Sequence, residues 1–159
     1  MGIYAKRLFP LICDRAMRAP ELQARRAQLV DGTSGDVLEI GFGTGLSARF
    51  YDPGRVRRLI ALEPSDGMTA KSLARIAAAR VPIEMLELAG EDLPLPDASV
   101  DHVVCSLTLC SVADPARVLS EIRRVLWPGG ALHFLEHVRS ERPKIARWQD
   151  RLNGMQRRF

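Results

Sequence analysis

The run Val37-Leu38-Glu39-Ile40-Gly41-Phe42-Gly43-Thr44-Gly45 constrains this chain more than any other stretch. It opens with four residues, apolar but for one carboxylate, and a short apolar run of this kind predicts a strand buried in a parallel sheet. Three glycines spaced two apart follow, which predicts a tight turn and then a helix starting after Gly43 or Thr44. Without Cβ atoms in the way, the backbone N–H groups of such a turn approach a ligand closely. A nucleotide-like ligand is expected here, and the flanking residues must say which one.

The rest of the chain repeats the strand–helix alternation. Residues 3–30 carry apolar positions at helical spacing (Leu8, Leu11, Ile12, Met17, Leu22, Leu29 and Val30), cut into pieces by Pro10 and Pro20. Further strands are predicted at 59–62, 83–88, 100–105 and 131–135. Ser65 is placed to cap one helix, and Asp114 with Pro115 to open another that Pro128-Gly129-Gly130 ends. A tail helix is predicted from Lys144 to Phe159, with Ile145, Trp148, Leu152 and Met155 on one side. Such alternation implies a doubly wound α/β fold with right-handed crossovers and ligands at the carboxyl ends of the strands. The whole chain, 1–159, reads as one domain: a helical segment 1–34, a core 35–136 and a helical tail 137–159.

Charge and cysteine usage narrow the class. The net charge of +4 comes mostly from arginines scattered along the chain rather than gathered into a patch, which argues against a nucleic-acid face. Cys13, Cys105 and Cys110 form no metal-ligand spacing, and their odd number suits a reducing compartment. No window approaches the roughly 18 apolar residues that cross a bilayer, and the opening stretch lacks a clean hydrophobic run. The expected location is the cytoplasm.

Two carboxylates narrow the ligand. Glu63 closes the second strand, twenty positions after Gly43, where an acid can accept from a ribose diol. Glu39 lies inside the first strand and would repel a pyrophosphate arriving at the turn, yet it suits a ligand carrying positive charge. Leu46 stands where the dinucleotide fingerprint has its third glycine. An NAD-dependent oxidoreductase is therefore disfavoured.

VLEIGFGTG at 37–45, LEPS at 62–65, GEDLPLPDASVD at 90–101, VVCSLTLCSV at 103–112 and EIRRVLWPGG at 121–130 together resemble the class I S-adenosylmethionine-dependent methyltransferases of the methyltransferase type 11 kind. CSLTLCSV and FLEHV resemble its small thiol-methyltransferase-like branch, related to quinone-biosynthesis methyltransferases. The resemblance implies that Gly41, Phe42, Gly43, Thr44 and Gly45 pass under the methionine part of S-adenosylmethionine, with Glu39 ordering the loop around its ammonium. It implies Glu63 on the ribose, and Pro64, Ser65 and Met68 beside the adenine. Gly90, Glu91, Asp92 and Leu93 would meet the adenine edge, and Ser106 and Leu107 would border the methyl group. Glu136 and His137, past strand five, are the candidates for taking a proton from a small, lipophilic or thiol acceptor.

The family's sheet has seven strands, and this sequence offers five, expected in the order 3-2-1-4-5 without the terminal antiparallel pair. The outer edge of strand five is then expected to be covered by the tail helix or by a second copy of the chain. The stretch from Ile3 to Met17 is amphipathic and basic; a core-facing helix is expected, ahead of a lid or a membrane contact. The competing functional class is a non-catalytic module that binds the cofactor alone.

Overall fold

The computed structural model describes residues 8–138, 140–144, 146, 147 and 149. Strands β1 (Gly35–Ile40), β2 (Val56–Leu62), β3 (Ile83–Leu86), β4 (Val100–Ser106) and β5 (Leu126–Leu135) form one sheet ordered β3-β2-β1-β4-β5. Every neighbouring pair is parallel. This is the predicted strand order. Helices α1 (Phe9–Ala16), α2 (Pro20–Asp31), α3 (Asp66–Ala77) and α4 (Pro115–Val125) accompany it.

Alternation along β1 explains the layering. Leu38 and Ile40 point to one face, where they pack with Val103, Cys105 and the buried side of α4, Val118, Ile122 and Val125. Val37 points to the other, among Val30, Phe42, Tyr51, Leu59 and Val104. Each fully buried aliphatic side chain contributes roughly 1.5–3 kcal/mol. Asp114 caps α4 as predicted, accepting from the Arg117 N–H at 3.0 Å. His102 and His133, expected to be structural, bond to each other across β4 and β5 at 3.0 Å (Nδ1 to Nε2), with Ser34 Oγ 3.3 Å from His102 Nε2.

Four local expectations need correction. The segment after the glycines is not an α-helix; it holds turns and one 3-10 turn, Ala48–Phe50. Ser47 and Tyr51 are drawn down onto the Glu39 carboxylate, and Asp52-Pro53 closes the segment before a helix can extend. Strand β3 stops at Leu86 rather than Leu88. Strand β5 begins at Leu126 rather than Ala131: Leu126 pairs with Val100 and Ala131 with His102, so Pro128-Gly129-Gly130 bulge out within the strand. Lastly, α1 turns its apolar side outward. Leu8, Leu11 and Ile12 are 48%, 53% and 51% exposed, while Asp14 is buried. Bonds fix that rotation, since Asp14 Oδ1 accepts from Thr44 Oγ1 at 2.6 Å and Arg75 at 2.7 Å, and Oδ2 pairs with Arg18 at 2.6 Å. Rotating α1 to bury its apolar side would part the buried Asp14 carboxylate from these partners, and an unpaired buried carboxylate costs about 3–5 kcal/mol.

Tyr4 and Trp148, aromatic candidates for the acceptor wall, and Ile145, Leu152 and Met155, with most of the predicted tail helix, lie outside the described residues. Among the described residues no helix is long and apolar enough to cross a membrane.

Candidate active site

The glycine turn leaves the carboxyl end of β1 at the centre of the sheet. Gly41 has φ +75° and Gly43 φ +59°, the left-handed region that other residues enter at a cost. The Gly41 and Phe42 N–H groups both donate to the Leu62 carbonyl at 2.9 Å, which ties the turn to the end of β2. On its other side the turn touches the loop after β4: a β-carbon on Gly41 would overlap Thr108 Oγ1 and lie 2.6 Å from Thr108 Cγ2. Thr108 cannot retreat easily. Its hydroxyl donates to the Ile40 carbonyl at 3.0 Å, and the Thr108 and Leu109 N–H groups both donate to Glu136 Oε1 at 2.8 Å.

Glu63 follows β2 directly and holds two backbone donors, Gly43 N–H on Oε2 at 2.9 Å and Ser65 N–H on Oε1 at 3.0 Å. Burial pushes its carboxyl above the usual carboxylate range, and the two N–H groups oppose that push. An ionised carboxylate offers about four acceptor positions, so two remain for a diol. Ser65 stands at the N-cap position of α3, but its hydroxyl makes no capping bond; its backbone serves Glu63 instead.

Glu39 is 2% exposed, and Oε2 accepts from Ser47 Oγ at 2.8 Å and Tyr51 Oη at 2.9 Å. Burial drives its carboxyl up to about 7, against the opposing pull of Ser47, Tyr51 and the Arg26 charge. The sign of the consequence follows from proton counting. Between the unfolded value of about 4.5 and about 7 the folded chain holds a proton that the unfolded chain has lost. Glu39 therefore contributes stability that is fully present below about 4.5 and is lost as pH rises through about 7. Without ligand, Glu39→Gln keeps an acceptor for Ser47 and Tyr51 and should remove about 3 kcal/mol of this decline, at ~1.4 kcal/mol per pKa unit. Chemical denaturation of both proteins at pH 5 and pH 8 measures it; parallel losses would show that Glu39 does not titrate there.

These groups surround a cavity of about 510 Å³, within the ~300–1,000 Å³ usual for small-molecule sites. Of the sequence-predicted residues its wall brings together Glu39, Gly41, Phe42, Gly43 and Thr44 from the turn, and Glu63, Pro64, Ser65 and Met68 from the β2 end. Gly90 and Glu91 join from the loop after β3, and Ser106 and Leu107 from the β4 end. Ser106 Oγ is buried without a partner among the described residues, and Leu107 sits at φ +58°.

Five predicted residues stand off the wall. Gly45 packs under the Phe42 ring. Asp92 lies 3.6 Å from Arg117, and the Leu93 side chain is in the core beneath α4. Glu136 supports the Thr108 loop through Oε1 and buries Oε2 unpartnered among the described residues; His137 is exposed beyond β5.

The wall also holds residues that the sequence reading did not assign to it: Cys13, Asp14 and Met17 of the N-terminal helix region, Arg26 of α2, and Thr108. No spacing rule links them to the glycine turn. The one available signal was Asp14, an acid alone in a basic, apolar stretch. Thr44 is held twice here, by its hydroxyl bond to Asp14 and by Arg75 Nη1 on its carbonyl at 2.5 Å. The turn, the orphaned Ser106 hydroxyl and the acidic pair together fit a cationic adenosyl ligand.

Comparison with known proteins points the same way. The family model described as "Methyltransferase domain" matches residues 38–134. Human thiol S-methyltransferase TMT1B is 46% identical over 114 residues, covering 67% of this chain and 45% of that protein. The phosphatidylethanolamine N-methyltransferase of Cereibacter sphaeroides is 32% identical over 124 residues, 77% of this chain and 60% of that one. The chain thus spans about half the length of the human relative. Among solved structures, a SAM-dependent methyltransferase from Aquifex aeolicus superposes with a TM-score of 0.70 at 20% identity, over 92% of this chain and 86% of that one, a likeness of fold.

Proposed function

The chain belongs to the methyltransferase domain family, and from that premise we propose that its glycine-turn cavity binds S-adenosylmethionine and that it transfers a methyl group to a small acceptor, a thiol first. The observation that carries this reading is the pair of buried carboxylates, Glu39 and Glu63, on either side of a left-handed glycine turn. A diphosphate would add negative charge beside two carboxyl groups whose ionisation burial already opposes, whereas a sulfonium and an ammonium would favour their ionised form. The human relative's thiol activity supports a thiol as acceptor.

When bound, the cofactor supplies a methyl group already activated on sulfur. The chain's own residues then have to align and exclude water. In this reading the turn from Gly41 to Gly45 admits the methionine part against the backbone, and Glu63 accepts from the ribose. Pro64, Ser65 and Met68 flank the adenine, with Gly90, Glu91 and the neighbouring Asp92 and Leu93 at its edge. Ser106 and Leu107 border the reacting end. Alignment of this kind contributes up to about 7–11 kcal/mol. Glu136 and His137 remain the candidates for taking the acceptor's proton, but both stand off the cavity wall, so either acts only on an acceptor that reaches past the wall to the β5 end; a base adds about 10²–10⁴-fold, and a thiol of pKa about 8.5 needs the least help.

A second reading, a lipophilic acceptor presented at a membrane surface, is favoured by the outward apolar row of α1 beside the cavity and by the phosphatidylethanolamine-methylating relative. We read residues 1–159 as one domain and place it in the cytoplasm, in keeping with free Cys13, Cys105 and Cys110. The outer edge of β5, where Trp127 and Phe134 are exposed, is where we place contact with the tail helix or a second copy.

Titration calorimetry with S-adenosylmethionine, S-adenosylhomocysteine and NAD, followed by methyl-transfer assays, tests the proposal. Both adenosyl ligands should bind and NAD should not, and a thiol should be methylated ahead of quinones, phenols and phosphatidylethanolamine vesicles. NAD binding without the other two would overturn it. Adenosyl binding with no transfer to any acceptor would make the domain a binding module. Transfer to the vesicles alone would select the second reading.

A further inference from the structure

The loop after β4 is strapped down from behind by the end of β5. Three consecutive backbone donors point that way. The Leu107 N–H donates to the Leu135 carbonyl at 2.7 Å, and the Thr108 and Leu109 N–H groups converge on Glu136 Oε1 at 2.8 Å each. The loop is not in an easy conformation: Leu107 sits at φ +58°, a left-handed geometry that leucine holds only where its surroundings impose it. In front, the Thr108 hydroxyl donates to the Ile40 carbonyl at 3.0 Å, and no space for a β-carbon separates Thr108 from Gly41. The Thr108 carbonyl accepts from the Ser111 N–H at 2.9 Å and the Ser111 hydroxyl at 2.8 Å, which closes residues 107–111 into one turn. Leu107, Thr108 and Ser111 of that turn are cavity wall, and Glu136 is not. Neither of its carboxylate oxygens is offered to a ligand. Oε1 is taken by the two N–H groups, and Oε2 is buried without a partner among the described residues. A group that takes a proton has to come within about 2.6–3.2 Å of it.

We infer that Glu136 is a positioning residue for methyl transfer: its carboxylate holds the strained loop 107–109 against the glycine turn and so fixes the cavity wall at the reacting end. The assignment rests on the S-adenosylmethionine reading above. It takes Glu136 out of proton transfer and leaves His137 as the candidate for the acceptor's proton. Hydrogen bonds from N–H to a carboxylate are about twice as strong as neutral ones, and two of them on one oxygen offset the left-handed Leu107. What the strap requires is reach, from the end of β5 to two amides beyond β4. Acidity is secondary, because a carboxamide oxygen of the same reach also accepts two N–H bonds. The glycine turn keeps its own tie to the Leu62 carbonyl, so releasing the loop should disturb alignment more than cofactor binding.

Two substitutions separate reach from acidity. Glu136→Gln keeps the length and loses the acid; Glu136→Asp keeps the acid and is one methylene short. Steady-state kinetics with a thiol acceptor should show kcat of Glu136→Gln within about fivefold of wild type, the difference between a neutral and a charge-assisted acceptor. Glu136→Asp should lose about 10–100-fold in kcat, the scale of a misplacement of about 1 Å. Its S-adenosylhomocysteine affinity by calorimetry should stay within about threefold, since the turn remains tied to Leu62. Hydrogen exchange on the ligand-free proteins should show the Thr108 and Leu109 amides exchanging at least about tenfold faster in Glu136→Asp than in Glu136→Gln, with β1 and β4 amides unchanged, which shows that both variants are folded. A glutamine variant more impaired than the aspartate variant would return Glu136 to proton transfer and overturn the assignment. Equal kcat in all three proteins, or no difference in exchange at Thr108 and Leu109, would overturn it as well; in each case the wild type still binds and transfers, and the cofactor reading stands. Wild-type protein that methylates no acceptor would sink that reading and this inference with it, and a persisting exchange difference would tell that failure from a failure of the strap.

Discussion

Replacing Gly41 by alanine should destabilise the ligand-free protein by about 2–5 kcal/mol and reduce S-adenosylmethionine affinity more than about 100-fold. Two costs add. Gly41 sits at φ +75°, and an alanine there loses about 1–2 kcal/mol to the left-handed conformation. The new β-carbon would also overlap Thr108 Oγ1 and lie 2.6 Å and 2.9 Å from Thr108 Cγ2 and Cβ, and overpacking at a held site costs about 1–3 kcal/mol. The threonine is held by the Ile40 carbonyl and its loop by Glu136, so the strain passes into the turn that forms the cofactor site. Gly43 provides the contrast. At φ +59° it has nothing closer than 3.9 Å to an added Cβ, so Gly43→Ala should cost only the conformational term, about 1–2 kcal/mol. Thr108→Ala in the Gly41→Ala background removes the two nearest atoms and should recover part of the loss. Chemical denaturation measures stability and calorimetry affinity; additive effects of the two substitutions would refute the steric account.

Glu63→Ala should weaken adenosyl ligands by about 1.5–3 kcal/mol, roughly 10–150-fold, the scale of hydrogen bonds to a charged group. The carboxylate does two things at once. It offers acceptor positions to a ribose diol, and it holds the Gly43 and Ser65 N–H groups that shape the site on either side. Glutamine should not restore binding fully: one of its ends is an NH₂, and it would face a backbone N–H donor where Oε1 or Oε2 now accepts. The loss should appear equally with S-adenosylhomocysteine and methylthioadenosine, since both carry the ribose. An unchanged affinity would remove Glu63 from the ribose.

The parallel sheet and its order were legible because each strand is a short apolar run bounded by turn residues, and because alternation with helices leaves few topologies. Asp114-Pro115 marked the start of α4 for a similarly local reason: the cap and the proline act within one turn. The misread elements are those whose conformation depends on distant partners. The residues after Gly45 have ordinary helical propensity, but Ser47 and Tyr51 are committed to Glu39 on β1. The strand-five boundary moved because Leu126 pairs with Val100, an edge contact that no property of Trp127-Pro128-Gly129-Gly130 announces. On α1, the apolar periodicity suggested an inward face, and one buried acid reversed it.

The sequence alone determined the order of elements, the position of the ligand turn and the identity of the two carboxylates beside it, because these are fixed by spacing along one βαβ-like stretch of chain. Only the tertiary structure decided what closes the site from the side. Asp14 and Arg26 lie before β1, far along the chain from Glu63 and Ser106, and they share a cavity with them because helix rotation is set by bonds to the turn rather than by propensity. Thr108 belongs to the same class: its grip on Gly41 is a contact between β1 and β4 ends, created by sheet order and invisible in either segment. A local pattern can state which backbone must bend; which side chains meet above that bend depends on packing summed over the whole fold.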